Sequence, residues 1–367
     1  MLSLSVARPT ICSRILVNFG HYLSYKMLTI QSHVSLKPYN TFGIDADARY
    51  FIEINQADDI NTLLQLTDFM GVPKLILGGG SNVLLCHDFN GLVIRMNIQG
   101  IEVLRENDDH IFLKAGAGVN WDELVQFCVQ HGYAGMENLT LIPGTVGASP
   151  MQNIGAYGVE LEQIFDSLTA VHTQTGERRT FSHADCQFGY RDSIFKRELK
   201  GYYIITSVTF RLNKQPIFHT RYGAIQETLD DMGVPQDELT IKAISEAVSR
   251  IRRSKLPDPS QIGNAGSFFK NPEIPKAQFD SLKRQFNEMP GYPVGDELVK
   301  IPAGWLIEQA GWKGYRSGDA GVHTKQALVL VNYGNATGQD LLNLAKQVQD
   351  SVQQMFGVSI TPEVNVV

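Results

Sequence analysis

Apolar and polar positions along the chain repeat with two periods, and the switches between them mark out the elements. Residues 49–54 alternate as a half-buried strand does. Residues 58–70 then place Ile60, Leu63, Leu64 and Thr67 at helical spacing until Gly71 stops the run. The apolar stretch 74–77 completes a strand-helix-strand unit that ends in Gly78-Gly79-Gly80-Ser81-Asn82. Residues 92–96, 101–104 and 111–115 read as successive strands, and 121–131 as a helix turning Trp121, Leu124, Val125 and Cys128 inward. Strands follow at 167–173, 178–182 and 202–212. Residues 240–254 carry Ile241, Ile244, Val248 and Ile251 on one helical face before Pro257 and Pro259 break the pattern. A short helix at 302–310 and a strand at 326–333 come next. The clearest helix is 338–356, with Thr337 as N-cap, Gly357 as stop, and Leu341, Leu342, Ala345, Val348, Val352 and Met355 as its apolar face. A last strand, 358–367, contains one acid, Glu363. These runs make a mixed α+β protein, not a doubly wound parallel sheet.

With 367 residues there is room for two or three domains, and 43% apolar with 19% charged residues is an ordinary globular composition. A net charge of -6 argues against a surface that coats nucleic acid. The four cysteines, Cys12, Cys86, Cys128 and Cys186, have neither disulfide-framework nor metal-ligand spacing and fit a reduced compartment. Before Asp45 the chain has Arg8, Arg14, Lys26 and Lys37 but no acid, and its apolar runs are too short for a signal or membrane span. Met27 is the expected start, which makes residues 1–26 a disordered extension outside the fold.

Chemistry concentrates in a few glycine-rich and charged stretches. Gly144, Gly147, Gly155 and Gly158, with Pro143 and Pro150, hold residues 139–158 in special backbone shapes. Such loops let amide groups approach an anion, and with Gly78-Gly79-Gly80 there are two, which suggests a dinucleotide. A tight turn accounts equally well for Gly78-Gly79-Gly80 taken alone. No G-x-G-x-x-G opens a helix after the first strand and no G-x-x-x-x-G-K-[ST] exists, so neither a Rossmann site nor a P-loop is indicated. Arg191, in Phe188-Gly189-Tyr190-Arg191-Asp192-Ser193, is able to grip a carboxylate with two hydrogen bonds or to pair with Asp192 or Glu198. Arg250, Arg252, Arg253 and Lys255 crowd a helix end, where the macrodipole by itself favours cations; the alternative is that Lys255, just past the helix, faces a diphosphate. Ser267, between Gly266 and Phe268-Phe269, lacks the context of a nucleophile elbow but is able to relay a proton.

Seven stretches taken in order carry a resemblance: Tyr39-Asn40-Thr41-Phe42-Gly43, Gly78-Gly79-Gly80-Ser81-Asn82, Pro143-Gly144-Thr145-Val146-Gly147-Ala148, Gln152-Asn153-Ile154-Gly155-Ala156-Tyr157-Gly158, Gly189-Tyr190-Arg191-Asp192-Ser193, Ser254-Lys255-Leu256-Pro257, and Ala265-Gly266-Ser267-Phe268-Phe269-Lys270-Asn271-Pro272. From about Val34 to Val367 the chain resembles the UDP-N-acetylenolpyruvoylglucosamine reductases, flavoenzymes of bacterial cell-wall precursor synthesis, in the form with a tyrosine loop at Arg221-Tyr222-Gly223.

The resemblance implies a two-subdomain FAD-binding fold of the vanillyl-alcohol oxidase type plus a C-terminal α+β substrate domain. The expected divisions are 27–96 and 97–225 for the FAD subdomains, 226–356 for the substrate domain, and 357–367 for a strand carrying a catalytic acid. It further implies non-covalent FAD, NADPH as co-substrate, and UDP-N-acetylglucosamine enolpyruvate as substrate, in a cytoplasmic monomer without metal, nucleic-acid or membrane partners. Arg191, Ser267 and Glu363 take the catalytic roles. Tyr157, Tyr222, Lys255, Asn271 and Gln326 take the substrate, and Gly78, Gly79, Gly80, Ser81, Asn82, Gly144, Thr145, Gly147 and Gly155 the cofactor. Two other readings remain: an oxidase of the same fold, which would often tether FAD through a histidine that neither glycine loop contains, and a nucleotide sensor without turnover.

Overall fold

The computed structural model describes residues 11–17 and 26–367, with side chains from Leu28 onward. Its described residues fall into two compact units, one holding those up to Ser35 with Asp47–Gly79 and Asp88–Arg252, the other Leu36–Ala46, Gly80–His87 and Arg253–Val367.

In the first unit, β1 (Ile11–Val17), β2 (Lys26–Ser35), β3 (Asp47–Ile54), α1 (Ala57–Leu64) and β4 (Lys74–Leu77) come first. β5 (Val83–Leu84) belongs to the other unit, and β6 (Phe89–Met96) returns to complete a sheet ordered β1-β2-β3-β6-β4. β1 to β3 are antiparallel, whereas β3, β6 and β4 are parallel, because α1 carries the chain back between β3 and β4. The helix expected to reach residue 70 ends at Leu64, since Leu66 is extended (φ -76°, ψ 106°) before a 3-10 turn at Thr67–Phe69. Residues 11–17, set aside with the first 26, form β1 on the open edge of β2. The rest of that stretch, 1–10 and 18–25, lies outside the described residues.

The second sheet of this unit is antiparallel throughout. β7 (Ile101–Glu106), β8 (His110–Gly116), β11 (Phe165–His172), β12 (Arg178–Ser182) and β13 (Tyr203–Asn213) lie in the order β12-β11-β13-β8-β7, with α2 (Trp121–His131), the small hairpin of β9 (Gly155–Ala156) and β10 (Val159–Glu160), and α3 (His183–Cys186) in the connections. α2 has the expected bounds because both caps are local: Asn120 accepts from the amides of Asp122 and Glu123, and Gly132 ends the helix left-handed. Its buried Trp121 lies edge-on to Phe210 and donates Nε1–H to the Leu139 carbonyl at 3.0 Å.

α4 (Ile225–Asp231) and α5 (Ile241–Lys255) pack Ile225 and Leu229 against Ile244, Val248 and Ile251. This contact lies on both sides of residue 226. The apolar face of α5 is covered by α4 and Tyr157, so the chain stays with the first unit to Arg252.

The second unit holds a sheet ordered β14-β20-β19-β18 and a small sheet ordered β15-β17-β16, built from β14 (Gly263–Asn264), β15 (Glu273–Pro275), β16 (Tyr292–Val294), β17 (Leu298–Lys300), β18 (Arg316–Ser317), β19 (Ala320–Val322) and β20 (Leu330–Asn332). α6 (Lys276–Gln285), α7 (Ala303–Gln309) and α8 (Gly338–Phe356) accompany them. Thr337 and Asp340 cap α8 reciprocally. On α8, Met355 faces outward and Leu344 and Phe356 fill the core instead. The strand expected at 326–333 shortens to β20, because Gln326 opens a turn closed by Val329 N–H at 3.0 Å. The last strand likewise shortens to β21 (Asn365–Val366), which pairs parallel with β5.

Candidate active site

The two glycine loops meet within the first unit. A Cβ on Gly79 would lie 2.9 Å from Gly144 Cα, and one on Gly78 would lie 2.5 Å from Thr145 Oγ1, so only hydrogen fits at either place. Among the described residues nothing accepts from the amides of Gly78, Gly79, Gly144 or Thr145, and the buried Thr145 hydroxyl has no hydrogen-bond partner. Buried polar groups without partners are uncommon, and converging bare amides form an anion cradle. The residues therefore fit the pyrophosphate of a dinucleotide such as FAD.

The other residues expected at the cofactor make contacts of their own within the protein. Gly147 already donates to the Ala117 carbonyl at 2.9 Å, and its missing Cβ makes room for Ala117. Gly155 makes room for another group, since a Cβ there would stand 2.8 Å from Glu160 Cγ and 3.2 Å from Arg191 Nη1. Gly80, Ser81 and Asn82 belong to the second unit, where Gly80 (φ 63°) lies under the Tyr39 carbonyl and accepts from Thr41 N–H at 3.1 Å.

Arg191 sits in a tight turn closed by reciprocal 3.1 Å bonds between the backbones of Gly189 and Asp192, and its φ of 52° is left-handed. A non-glycine residue held there is a sparsely populated state that the surroundings must enforce. The acids expected as alternative partners are taken: Arg197 pairs with both Asp192 and Glu198. Arg191 Nη2 donates to the Gly155 carbonyl at 2.7 Å, and Nη1 stands 4.0 Å from Glu160. Asn153, to which the sequence assigned no role, organises this corner. Fully buried, it donates to Glu160 at 3.1 Å and to the Gly189 carbonyl at 3.2 Å, and it accepts from Glu162 N–H at 3.0 Å. An asparagine within the glycine-rich run was the signal available, because asparagine tolerates the left-handed region, here φ 45°, better than most residues.

Tyr157 and Tyr222 come together nearby. A Cβ on Gly158 would meet Tyr222 Cβ at 3.3 Å, and Tyr222 is 59% exposed while Tyr157 is half-buried. Burial pushes the Tyr157 phenol up, and the Arg252 guanidinium, hydrogen-bonded to it, works in the other direction. Burial lowers Arg252 itself, and its Nε has no partner among the described residues. The buried Asn138 donates to the carbonyls of Tyr157 at 3.0 Å and His219 at 2.8 Å, tying the tyrosine loop to the central one. Lys255 ends α5 in the other unit and is exposed.

In the second unit Ser267 and Glu363 lie on paired segments. Glu363 N–H donates to the Phe268 carbonyl at 2.8 Å, and Lys270 N–H to the Thr361 carbonyl at 2.9 Å. Ser267 is exposed between the left-handed Gly266 and the buried Phe268 and Phe269 rings. Asn271 Oδ1 accepts from Ala303 N–H at 2.9 Å at the start of α7, which leaves its Nδ2 as the group turned to other uses. Gln326 Oε1 accepts weakly from Leu328 N–H at 3.4 Å. Among the described residues no group of His, Cys, Asp and Glu side chains is arranged to hold a metal.

Comparison with known proteins gives the family and the fold. A family profile described as an FAD binding domain matches residues 48–182, and one described as the C-terminal domain of UDP-N-acetylenolpyruvoylglucosamine reductase matches 258–367. The UDP-N-acetylenolpyruvoylglucosamine reductase of Amoebophilus asiaticus is 52% identical over 340 residues, covering 93% of this chain and 100% of that protein. That of Pseudomonas aeruginosa is 48% identical, with 92% and 99% covered. The crystal structure of UDP-N-acetylenolpyruvylglucosamine reductase from Thermus caldophilus is 24% identical, with TM-score 0.65 over 92% of this chain and 99% of that one. A 4-ethylphenol oxidase from Gulosibacter chungangensis is 11% identical, with TM-score 0.50 over 90% and 84%. The chain thus has the α+β FAD-binding fold with a C-terminal α+β domain that its motifs implied.

Proposed function

The chain belongs to the UDP-N-acetylenolpyruvoylglucosamine reductase family, and from that premise we propose that it reduces UDP-N-acetylglucosamine enolpyruvate to UDP-N-acetylmuramate at the expense of NADPH, in peptidoglycan precursor synthesis in the cytoplasm. It is an oxidoreductase with an FAD-binding domain. The reaction adds a hydride to the terminal methylene of the enolpyruvyl ether and a proton to the neighbouring carbon, and NADPH leaves as NADP+. Non-covalently bound FAD, when reduced, supplies that hydride.

The chain's own residues do the rest. The bare amides of Gly78, Gly79, Gly144 and Thr145 hold the cofactor's pyrophosphate. Arg191 grips the substrate carboxylate, while Asp192 is paired with Arg197. Hydride addition drives negative charge onto the carboxylate side, and such charge is best met by preorganised donors away from water. Glu363 serves there in its protonated form, since an ionised carboxylate would repel the charge. Ser267 delivers the proton to the adjacent carbon. Tyr222, Lys255 and Asn271 hold the diphosphate of the nucleotide sugar, and Tyr157 and Gln326 complete the substrate's surroundings. The observation that carries this reading is the 2.8 Å bond from Glu363 N–H to the Phe268 carbonyl, which keeps the proton donor and the acid on neighbouring backbone.

The test is anaerobic. NADPH should bleach the flavin absorbance, and UDP-N-acetylglucosamine enolpyruvate should restore it without oxygen. If the second step fails and oxygen restores the colour rapidly instead, the protein is an oxidase of this fold.

A further inference from the structure

The segment that carries Glu363 is held on both sides, and only Val364 separates the two attachments. Upstream, Thr361 and Glu363 bond to the backbone of Lys270 and Phe268. Downstream, the Asn82 carbonyl accepts twice from Asn365, from its backbone N–H at 3.1 Å and from its Nδ2 at 3.0 Å. Asn82 Nδ2 reaches back to the Glu363 carbonyl at 3.4 Å, closing a ring of contacts around the acid's own peptide. Val367 N–H donates to Leu84 at 2.9 Å and Cys86 N–H to Val367 at 2.7 Å, so the contact continues as the β5–β21 ladder. That receiving strand is itself immobilised: Leu84 and Leu85 are buried, and Gly338 at the start of α8 lies so close that a Cβ would stand 1.9 Å from the Leu85 carbonyl.

We propose that Asn365 is a positioning residue for Glu363, latching the acid's segment to the Ser81-Asn82 end of the first glycine loop. The proposal rests on the reading of Glu363 given above. The latch matters because the Phe268 bond fixes only where the Glu363 amide lies. The course of the chain beyond its Cα, and with it the aim of the carboxyl, depends on what the next residues grip. Reacting groups displaced by about 1 Å lose rate steeply. The carbonyl that anchors Asn365 belongs to Asn82, itself one of the residues expected at the cofactor.

The test uses the flavin-loaded enzyme with Asn365→Ala, which removes the side-chain bond, and Asn365→Pro, which removes both. Flavin reoxidation by the enolpyruvyl substrate should slow about threefold to tenfold in the alanine variant, the worth of one hydrogen bond, and further in the proline variant. Flavin reduction by NADPH should not change. Amide hydrogen exchange of residues 363–367, read on the protein without substrate, should quicken in the same order. In a Glu363→Gln background, Asn365→Ala should cost nothing more. Equal slowing of both half-reactions, or a full additional loss beside Glu363→Gln, would overturn the latch and leave the acid's role standing. If Glu363→Gln alone leaves reoxidation untouched, the acid's role falls and the proposal with it, even where exchange quickens. Should the proline variant not fold, the alanine variant carries every arm.

Discussion

Replacing Gly79 by alanine tests whether the meeting of the two glycine loops makes the cofactor site. Gly79 is not among the left-handed glycines, so alanine suits its backbone, and the whole effect comes from the added methyl. That methyl would stand 2.9 Å from Gly144 Cα and 3.2 Å from Gly144 C, against an ordinary contact of 3.4 Å or more. Its neighbours are backbone atoms, which cannot rotate aside, so the loops must separate by about half an ångström. Overpacking of this kind costs about 1–3 kcal/mol of stability. A hydrogen bond to a charged group is worth about 1.5–3 kcal/mol, so misaligning one cradle amide should raise the FAD dissociation constant roughly 10-fold to 150-fold. Flavin fluorescence quenching during titration of apoprotein measures the constant directly. Gly100→Ala is the control: at φ 111° it strains the backbone, yet nothing lies within 4 Å of the new methyl, so melting temperature should fall without a change in FAD affinity. If Gly79→Ala binds FAD as the parent does, the pyrophosphate is not held where the loops touch.

Gly155→Ala separates two readings of a predicted cofactor residue: the methyl presses Glu160 and Arg191, so steady-state turnover should fall about tenfold or more with FAD affinity unchanged. A loss of FAD affinity with normal turnover of the loaded enzyme would return the residue to the cofactor. Thr145→Val replaces a buried, unpartnered hydroxyl by an isosteric methyl, so apoprotein melting should hold or rise while FAD binding weakens about tenfold. An apoprotein that melts lower would mean the hydroxyl has a partner in the absence of cofactor. Glu137, 2% exposed, has its carboxyl raised above the ordinary value by burial, so its contribution to stability is full below the unfolded pKa and is lost as pH rises through the folded one. Glu137→Gln keeps an acceptor for the 2.6 Å bond from Gly135 N–H, and should melt like the parent at about pH 4 but higher than it at about pH 8. Parallel melting curves at both pH values would show that the carboxyl does not titrate differently on folding.

Elements whose signals are local were legible in the chain, and those whose signals come from distant segments were not. α2 and α8 have the bounds that periodicity gave them, because Asn120, Gly132, Thr337 and Gly357 cap them within a turn of their ends. The order of the motifs, and so the family and the FAD-binding fold, was also written in the sequence, since each motif is a short backbone shape its own residues specify. Three outcomes lay beyond it. The sequence offered Arg191 two acidic neighbours, and only the folded chain showed Arg197 pairing with both. Gly147 and Gly155 looked like their neighbours in the loop, yet what a glycine makes room for depends on which remote atom lies over it, here Ala117 and Arg191. The end of the chain reads as one continuous strand by composition, but strands exist by pairing, and only tertiary contact divided it between Phe268 and Asn82 with Glu363 at the exchange. Residue types and their spacing determined which chemistry the protein carries. Which groups were left in position to perform it was decided by close approaches between segments far apart in sequence, because hydrogen bonds and excluded volume act over a few ångströms in space whatever the separation along the chain.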